Sequence, residues 1–176
     1  MSHRKNKRYN KISKIRRVKI MAKRQMRYEG DEILEKRSRP VEKFDKKLWD
    51  LLDDMNETMK IYNGVGLAGV QVGMLRRLFI VDIGDGVTEF INPEIIETSG
   101  EQTGLEGCLS FPDQFGEVTR PNYVRVRAQD RFGKVFEKEA TELYARAICH
   151  ENDHLDGHVF KERADRMLTP EEVENY

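Results

Sequence analysis

The segment His150-Glu151-Asn152-Asp153-His154 holds the residues of this chain best suited to chemistry. On a helix, side chains at i and i+4 lie one turn apart on the same face, so His150 and His154 can reach a single metal ion. Glu151 sits beside them, where its carboxylate can take a proton from a water that such an ion acidifies. The chain has only four histidines. Two of them at this spacing around a glutamate argue for a metal site over a solvated helix surface.

Two imidazoles do not complete such a site. A catalytic centre of this type takes a third protein ligand and keeps one position open. Downstream of His154 the chain offers Asp156, His158, Glu162 and Asp165. His158 repeats the i+4 step, but Gly157 ends the helix before it. The other candidate is Cys108, within Glu106-Gly107-Cys108-Leu109-Ser110-Phe111-Pro112, whose thiolate would suit iron, zinc or cobalt. Cys149 is the second of two cysteines. It points away from His150 on the helix and reads as packing. Two thiols make no disulfide framework.

These residues need elements to hold them. A helix carrying the two histidines is expected from about Thr141 through Leu155. A second is expected from Phe44, where Leu48, Leu51, Leu52, Met55, Met59 and Tyr62 recur at steps of three and four. Asn63-Gly64 should stop it, because both residues tolerate a left-handed cap. A glycine-rich stretch, Gly64 to Gly73, follows; no Lys-Ser/Thr pair comes after its glycines, which argues against a phosphate loop. Leu78–Ile83 and Val87–Asn92 read as two arms of a hairpin about Gly84-Asp85-Gly86, with Glu94–Thr98 a third short strand. Tyr123–Ala128 alternates as a half-buried strand does and returns through Asp130–Gly133 into Lys134–Ala140. Thr169-Pro170-Glu171-Glu172 is a capping box with proline at the first helical position. Strands joined by tight turns rather than by helical crossovers predict an α+β fold with antiparallel sheets.

A length of 176 residues suits one domain with a real core. The chain is 38% hydrophobic and 35% charged with a formal net charge of zero. That balance hides an asymmetry: residues 1–20 carry nine basic residues and no acid, which leaves 22 basic against 31 acidic residues, a net charge of −9, in the remainder. Residues 1–20 read as a basic, disordered extension of a single catalytic domain over 21–176, with Met21 a plausible start. No apolar run nears the roughly 20 residues of a membrane span, and no signal-peptide core is visible. A cytoplasmic protein is expected.

Three segments together resemble the peptide deformylases. Gly64–Gly73 is similar to the family's G-x-G-L-A-A-x-Q stretch, Glu106–Pro112 to its E-G-C-L-S segment, and His150–Gly157 to its H-E-x-D-H-L-x-G helix, in the same order and spacing. The chain differs at Gly69-Val70, where the family often has Ala-Pro or Ala-Thr, and at Phe111, where an aliphatic residue is usual. The resemblance implies antiparallel sheets around a central helix, with Cys108, His150 and His154 as ligands of one divalent ion. It implies ferrous iron in the cell, with zinc, cobalt or nickel able to occupy the site. It further implies Glu151 as proton carrier, and the Gln71 side-chain amide and the Leu109 backbone N–H as donors to a developing oxyanion. Gly66 would let the substrate backbone approach, and Val65, Leu143, Ala147 and the edge of His150 would line a methionine pocket. Leu143, Ala147 and His150 fall at i, i+4 and i+7, one helical face. Plain core packing is the competing reading of Leu143.

The implied reaction removes the N-formyl group from the N-terminal methionine of new proteins and releases formate. Its partners would be N-formylmethionyl nascent peptides and, transiently, the ribosome; no membrane is involved, and a monomer is expected. Two other readings use the same residues differently. A peptidase with this metal chemistry would cut internal peptide bonds. A catalytically silent protein would dock on ribosomal RNA through its basic segment, in a strongly salt-dependent way.

Overall fold

The structure is a computed structural model and describes residues 23–176. The basic extension read over residues 1–20, and the start proposed at Met21, lie outside the described residues.

Helix α1, Lys46–Ile61, begins where the Asp45 side chain accepts from the backbone N–H groups of Lys47 and Leu48. That N-cap meets two of the amide groups a helix start leaves unpaired. The helix ends at Asn63, whose φ of 53° is the left-handed turn expected there. Its apolar stripe is buried from Leu48 through Leu51, Leu52 and Met55 to Met59, whereas Tyr62, the last residue of the expected stripe, follows the helix and is half-buried.

The glycine-rich stretch then forms strand β1, Gly66–Ala68, and a short 3-10 turn over Gly69–Val72. β2, Leu78–Val81, and β3, Thr88–Ser99, follow. β3 merges two expected strands, Val87–Asn92 and Glu94–Thr98, into one bent strand. Asn92 takes a φ of 51° and the register with its neighbour shifts between Ile91 and Glu94. Its side-chain amide is held by Val41 and Gln129, so the kink is stabilised from outside the strand. β4, Gln102–Cys108, and β5, Phe111–Arg120, form a hairpin around the cysteine segment. β6, Tyr123–Gln129, and β7, Val135–Thr141, form another and lead into α2, Glu142–Leu155. A one-turn helix α3, Phe160–Arg163, strand β8, Ala164–Met167, and helix α4, Pro170–Glu174, complete the order, α4 starting with the capping box read at Thr169.

Every pairing between these strands is antiparallel. One sheet has the order β1-β2-β3-β6-β7 and the other β4-β5-β8. The fold is α+β, as the tight turns predict. The first sheet is covered on both faces at β2, which explains its unbroken apolar run. Phe79 and Val81 join Ala68, Phe90 and Val126 in a core beneath Ala145, Ile148 and Cys149 of α2. Leu78 and Ile80 join Leu67 and Ile91 in a second core beneath Leu51, Leu52 and Met55 of α1. The two-residue alternation of a strand separates the two sets. Helix α2 thus has one stripe on the large sheet, and its other sides turn to β4 and β5. A smaller apolar cluster of Leu34, Phe111, Val118 and Phe160 closes that end, with the Phe111 and Phe160 rings edge to face.

Candidate active site

His150 and His154 stand one turn apart on α2, their ring centroids separated by 5.1 Å. Cys108 ends β4, at the point where the β4–β5 register shifts between Gly107 and Cys108. A bulge of this kind re-aims a side chain out of its strand. Here it turns Cys108 Sγ to within 3.3 Å of His154 Nε2. Ligand atoms of Cys108, His150 and His154 all lie within 4.8 Å of one another. Donors about 2.0–2.3 Å from one tetrahedral ion stand roughly 3.3–3.8 Å apart, so a single ion fits this set with little adjustment. A thiolate with two imidazoles also leaves one position open. His158, the alternative at the next i+4 step, is exposed and paired with Glu162. It lies beyond Gly157, whose φ of 82° ends the helix.

Glu151 adjoins both histidines and is buried, and its Oε2 has no hydrogen-bond partner among the described residues. Burial pushes this carboxyl up to about 7, against the opposing influence of His150. A group so poised can both take and give a proton near neutral pH. Burial, together with the neighbouring His150, holds His154 well below the usual histidine range, the neutral form a metal requires. Gly66 makes room for the carboxylate. A Cβ on Gly66 would come within 2.8 Å of Glu151 Cδ, so the space beside this glycine is filled by Glu151 itself.

Gln71 lies in the 3-10 turn after β1. Its Oε1 accepts from the Ala68 backbone N–H at 2.8 Å, and its Nε2 donates to Ser110 Oγ at 3.2 Å and towards Cys108 Sγ at 3.4 Å. The Ala68 N–H can only meet an acceptor, so it fixes which end of the amide faces Cys108. Val65, Gly66, Leu109, Leu143 and Ala147 line one cleft of about 660 Å³ with Cys108, His150 and Glu151. Ala147 is buried, whereas Leu143 and Val65 are 52% and 44% exposed at the mouth. Leu143 is therefore not core. Leu109 closes over Gly64, where a Cβ would meet its Cδ1 at 2.6 Å. Cys149 packs in the core as read from sequence, and burial pushes its thiol up to about 11.

A charged cage that no local sequence pattern announces lies behind the histidines. Arg146, His150 and Asp153 form one stripe of α2 at i, i+4 and i+7 and face the β4–β5 hairpin. Glu106 Oε2 lies 3.1 Å from His150 Nδ1, and Glu106 also accepts from Arg120 at 2.9 and 3.0 Å and from Arg146 at 2.8 Å. Arg120 reaches on to Asp153, and Arg146 also donates to the carbonyl oxygen of Val118. Against the desolvation that burial imposes, hydrogen bonds from His150 and Arg120 hold Glu106 at about 2. The carboxylate thus stays charged and directs His150 Nε2 towards the thiol. A ligand histidine needs such a partner on its other nitrogen, and Glu106, two residues before Cys108, was the available signal.

Three donors able to hold one ion, an open cleft and a buried carboxylate poised to move protons define a mononuclear metal hydrolase. Comparison with known proteins narrows the class. A family profile described as polypeptide deformylase matches residues 23–169. A peptide deformylase of Caldicellulosiruptor bescii is 53% identical over 154 residues, 88% of this chain and 93% of that relative. Peptide deformylase 1 of Clostridium acetobutylicum is 54% identical over 143 residues, 81% of this chain and 95% of that relative. The crystal structure of the Thermotoga maritima peptide deformylase superposes with a TM-score of 0.80 at 41% identity, covering 82% of this chain and 99% of that one. A class I type b peptide deformylase of Acinetobacter baumannii, solved with Met-Ala-Ser bound, gives a TM-score of 0.78 at 34% identity over 82% and 99% of the two chains. The chain belongs to the polypeptide deformylase family, metal-dependent hydrolases that remove the N-formyl group from an N-terminal methionine.

Proposed function

We propose that Cys108, His150 and His154 hold one divalent ion, and that Glu151, Gln71 and Leu109 carry out the deformylation around it. The observation that carries this reading is the convergence of the three donor atoms beside a buried, unpartnered Glu151 oxygen. Bound there, the ion would supply Lewis acidity, lowering the pKa of water and polarising the formyl oxygen. Glu151 takes the proton of the attacking water and returns it to the leaving amine of methionine as the C–N bond breaks and formate departs. The Gln71 Nε2 donor, oriented through Ala68, and the Leu109 N–H hold the oxyanion that develops on the formyl oxygen. The Gln71 amide is oriented through Ala68 before substrate arrives, and its Nε2 turns from Ser110 or Cys108 to the oxyanion.

The formyl group is small, so recognition must come from methionine and the peptide backbone. Val65, Leu143, Ala147 and the edge of His150 line the cleft, which supports a methionine site between them. The Acinetobacter baumannii relative with Met-Ala-Ser bound supports the same class of peptide for this chain. The substrate is an N-formylmethionyl nascent chain, met in the cytoplasm with transient ribosome contact. No helix of the described residues is long and apolar enough to cross a membrane. The protein acts as a monomer in this reading.

The ion in the cell is ferrous iron, with zinc, cobalt or nickel as substitutes. Ligand type does not separate these metals, but reactivity does. Zinc is redox-silent, whereas iron in an open site beside an oxidisable thiolate meets oxygen. Protein purified anaerobically should contain about one iron per chain and be far more active on a formyl-Met peptide than the zinc-loaded form. Air should remove that activity with oxidation of Cys108 or loss of iron. Equal, air-stable activity of the two forms would contradict the iron assignment.

A further inference from the structure

Helix α2 carries both histidines of the site, and its start is unusual. Its N-cap residue, Thr141, makes no side-chain hydrogen bond to the first turn. The next residue, Glu142, has a φ of 53°. That left-handed backbone is uncommon for a residue with a Cβ, and it persists only where neighbouring groups fix it. Leu143 comes directly after this turn and stands at the mouth of the cleft.

Gln102, the first residue of β4, supplies much of the fixing. Its Nε2 donates to the Glu142 carbonyl at 2.8 Å and to the Pro121 carbonyl at 3.0 Å. Two carbonyl acceptors require the NH2 end of the amide, so its orientation is set. The Glu142 N–H donates to the Asn122 carbonyl at 3.0 Å. Both backbone groups of Glu142 are therefore held, one by the β5–β6 turn and one by β4. The Gln102 backbone carbonyl also accepts from Arg146 Nη2 at 3.2 Å, one turn along α2. Strand β4 thus grips α2 at two heights. Glu106 meets His150 at the site, and Gln102 meets Glu142 beside Leu143. Gln102 does not line the cleft, so any effect it has on substrate passes through the helix start.

We propose that Gln102 is a positioning residue for methionine recognition: by holding Glu142 in its left-handed turn, it fixes Leu143 as one wall of the methionine site. The proposal rests on the deformylase reading of the cleft. Leu143 is 52% exposed, so core packing does little to hold it, and its place depends on the backbone beneath it. Without the Gln102 donor, Glu142 relaxes toward the right-handed backbone that a Cβ favours, and Leu143 turns with it. Contact with a long methionine side chain then weakens. Contact with alanine, too short to reach that wall, does not change.

The test measures kcat and KM by formate release for formyl-Met-Ala-Ser and formyl-Ala-Ala-Ser. The wild-type protein should favour methionine. In Gln102→Ala, KM for the methionine peptide should rise by about three- to ten-fold, the scale of one hydrogen bond. Its kcat and bound metal should match the wild type, and the alanine peptide should be little affected. Gln102→Glu keeps the shape but turns a carboxylate to two carbonyl oxygens, so it should lose the preference at least as far. Glycine adopts the left-handed turn freely, so Glu142→Gly added to Gln102→Ala should restore most of the preference. A merely structural role would instead lower kcat or metal content, or weaken both peptides alike, and Glu142→Gly would not relieve it. That pattern, loss of the fold in both single variants without such relief, or an unchanged preference in both would overturn the role of Gln102 while leaving deformylation intact. Failure of the wild-type protein to hydrolyse either peptide would overturn the deformylase reading and this role with it.

Discussion

Glu106 Oε2 faces His150 Nδ1 at 3.1 Å, with both side chains buried. The two residues come from different elements: Glu106 from strand β4, which ends in Cys108, and His150 from helix α2. Their contact therefore locks the cysteine-bearing hairpin to the histidine-bearing helix. Arg120 and Arg146 neutralise the buried carboxylate from two more directions.

Glu106→Gln keeps the shape of this side chain and removes its charge. His150 then loses its carboxylate partner, and two buried guanidinium groups are left undercompensated. Metal affinity should fall by about 10- to 100-fold, together with a lower thermal midpoint. A metal titration giving wild-type affinity would show that the contact does not tune the site.

Gly66→Ala tests the packing of Glu151. A methyl group there lies too close to the carboxylate to be accepted without moving it. The variant should retain its metal and lose turnover by about 100-fold, the scale of a displacement near 1 Å at a catalytic group. Wild-type turnover would mean that Glu151 has another place to act from.

Cys108→Ala removes the sulfur that lies 3.3 Å from His154 Nε2. Two imidazoles alone are a poor match for a site that takes three protein ligands. Metal analysis should show near-total loss, and full retention would remove Cys108 from the ligand set.

The two helices and the tight-turn hairpins were legible because each obeys a local rule. The stripe from Leu48 to Met59 has helical period and is buried along α1, and Asn63-Gly64 ends it with a left-handed residue. The bend in β3 was not legible, because it depends on the Asn92 side chain reaching Val41 and Gln129, both remote in sequence. The β4–β5 hairpin escaped notice for a different reason. Gly104, Gly107, Pro112 and Gly116 interrupt its alternation, and its strength lies in register and in the charges it buries. The helical spacing of His150 and His154 announced their proximity, and the resemblance brought Cys108 to them. Nothing local marks Arg120, Arg146 and Asp153 as paired, since residues of these types are almost never buried without a partner and the partners here are remote in sequence. Only the fold shows the pairing.

We propose that residues 1–20 are dispensable for chemistry and that 21–176 form a single catalytic domain. The family profile begins at residue 23. A chain beginning at Met21 should retain full turnover on short formyl-Met peptides. A large fall in that turnover would make the basic segment part of the working domain.

The central claim is that a bound metal and Glu151 do separate jobs in one deformylation. The measurement that tests it most directly is formate release from a formyl-Met peptide per equivalent of bound metal, for the wild type and Glu151→Ala prepared anaerobically side by side. The variant should hold as much metal as the wild type and lose about two to four orders of magnitude in kcat, the range for a general acid–base group. Near-wild-type formate release from a fully metallated Glu151→Ala would contradict the account.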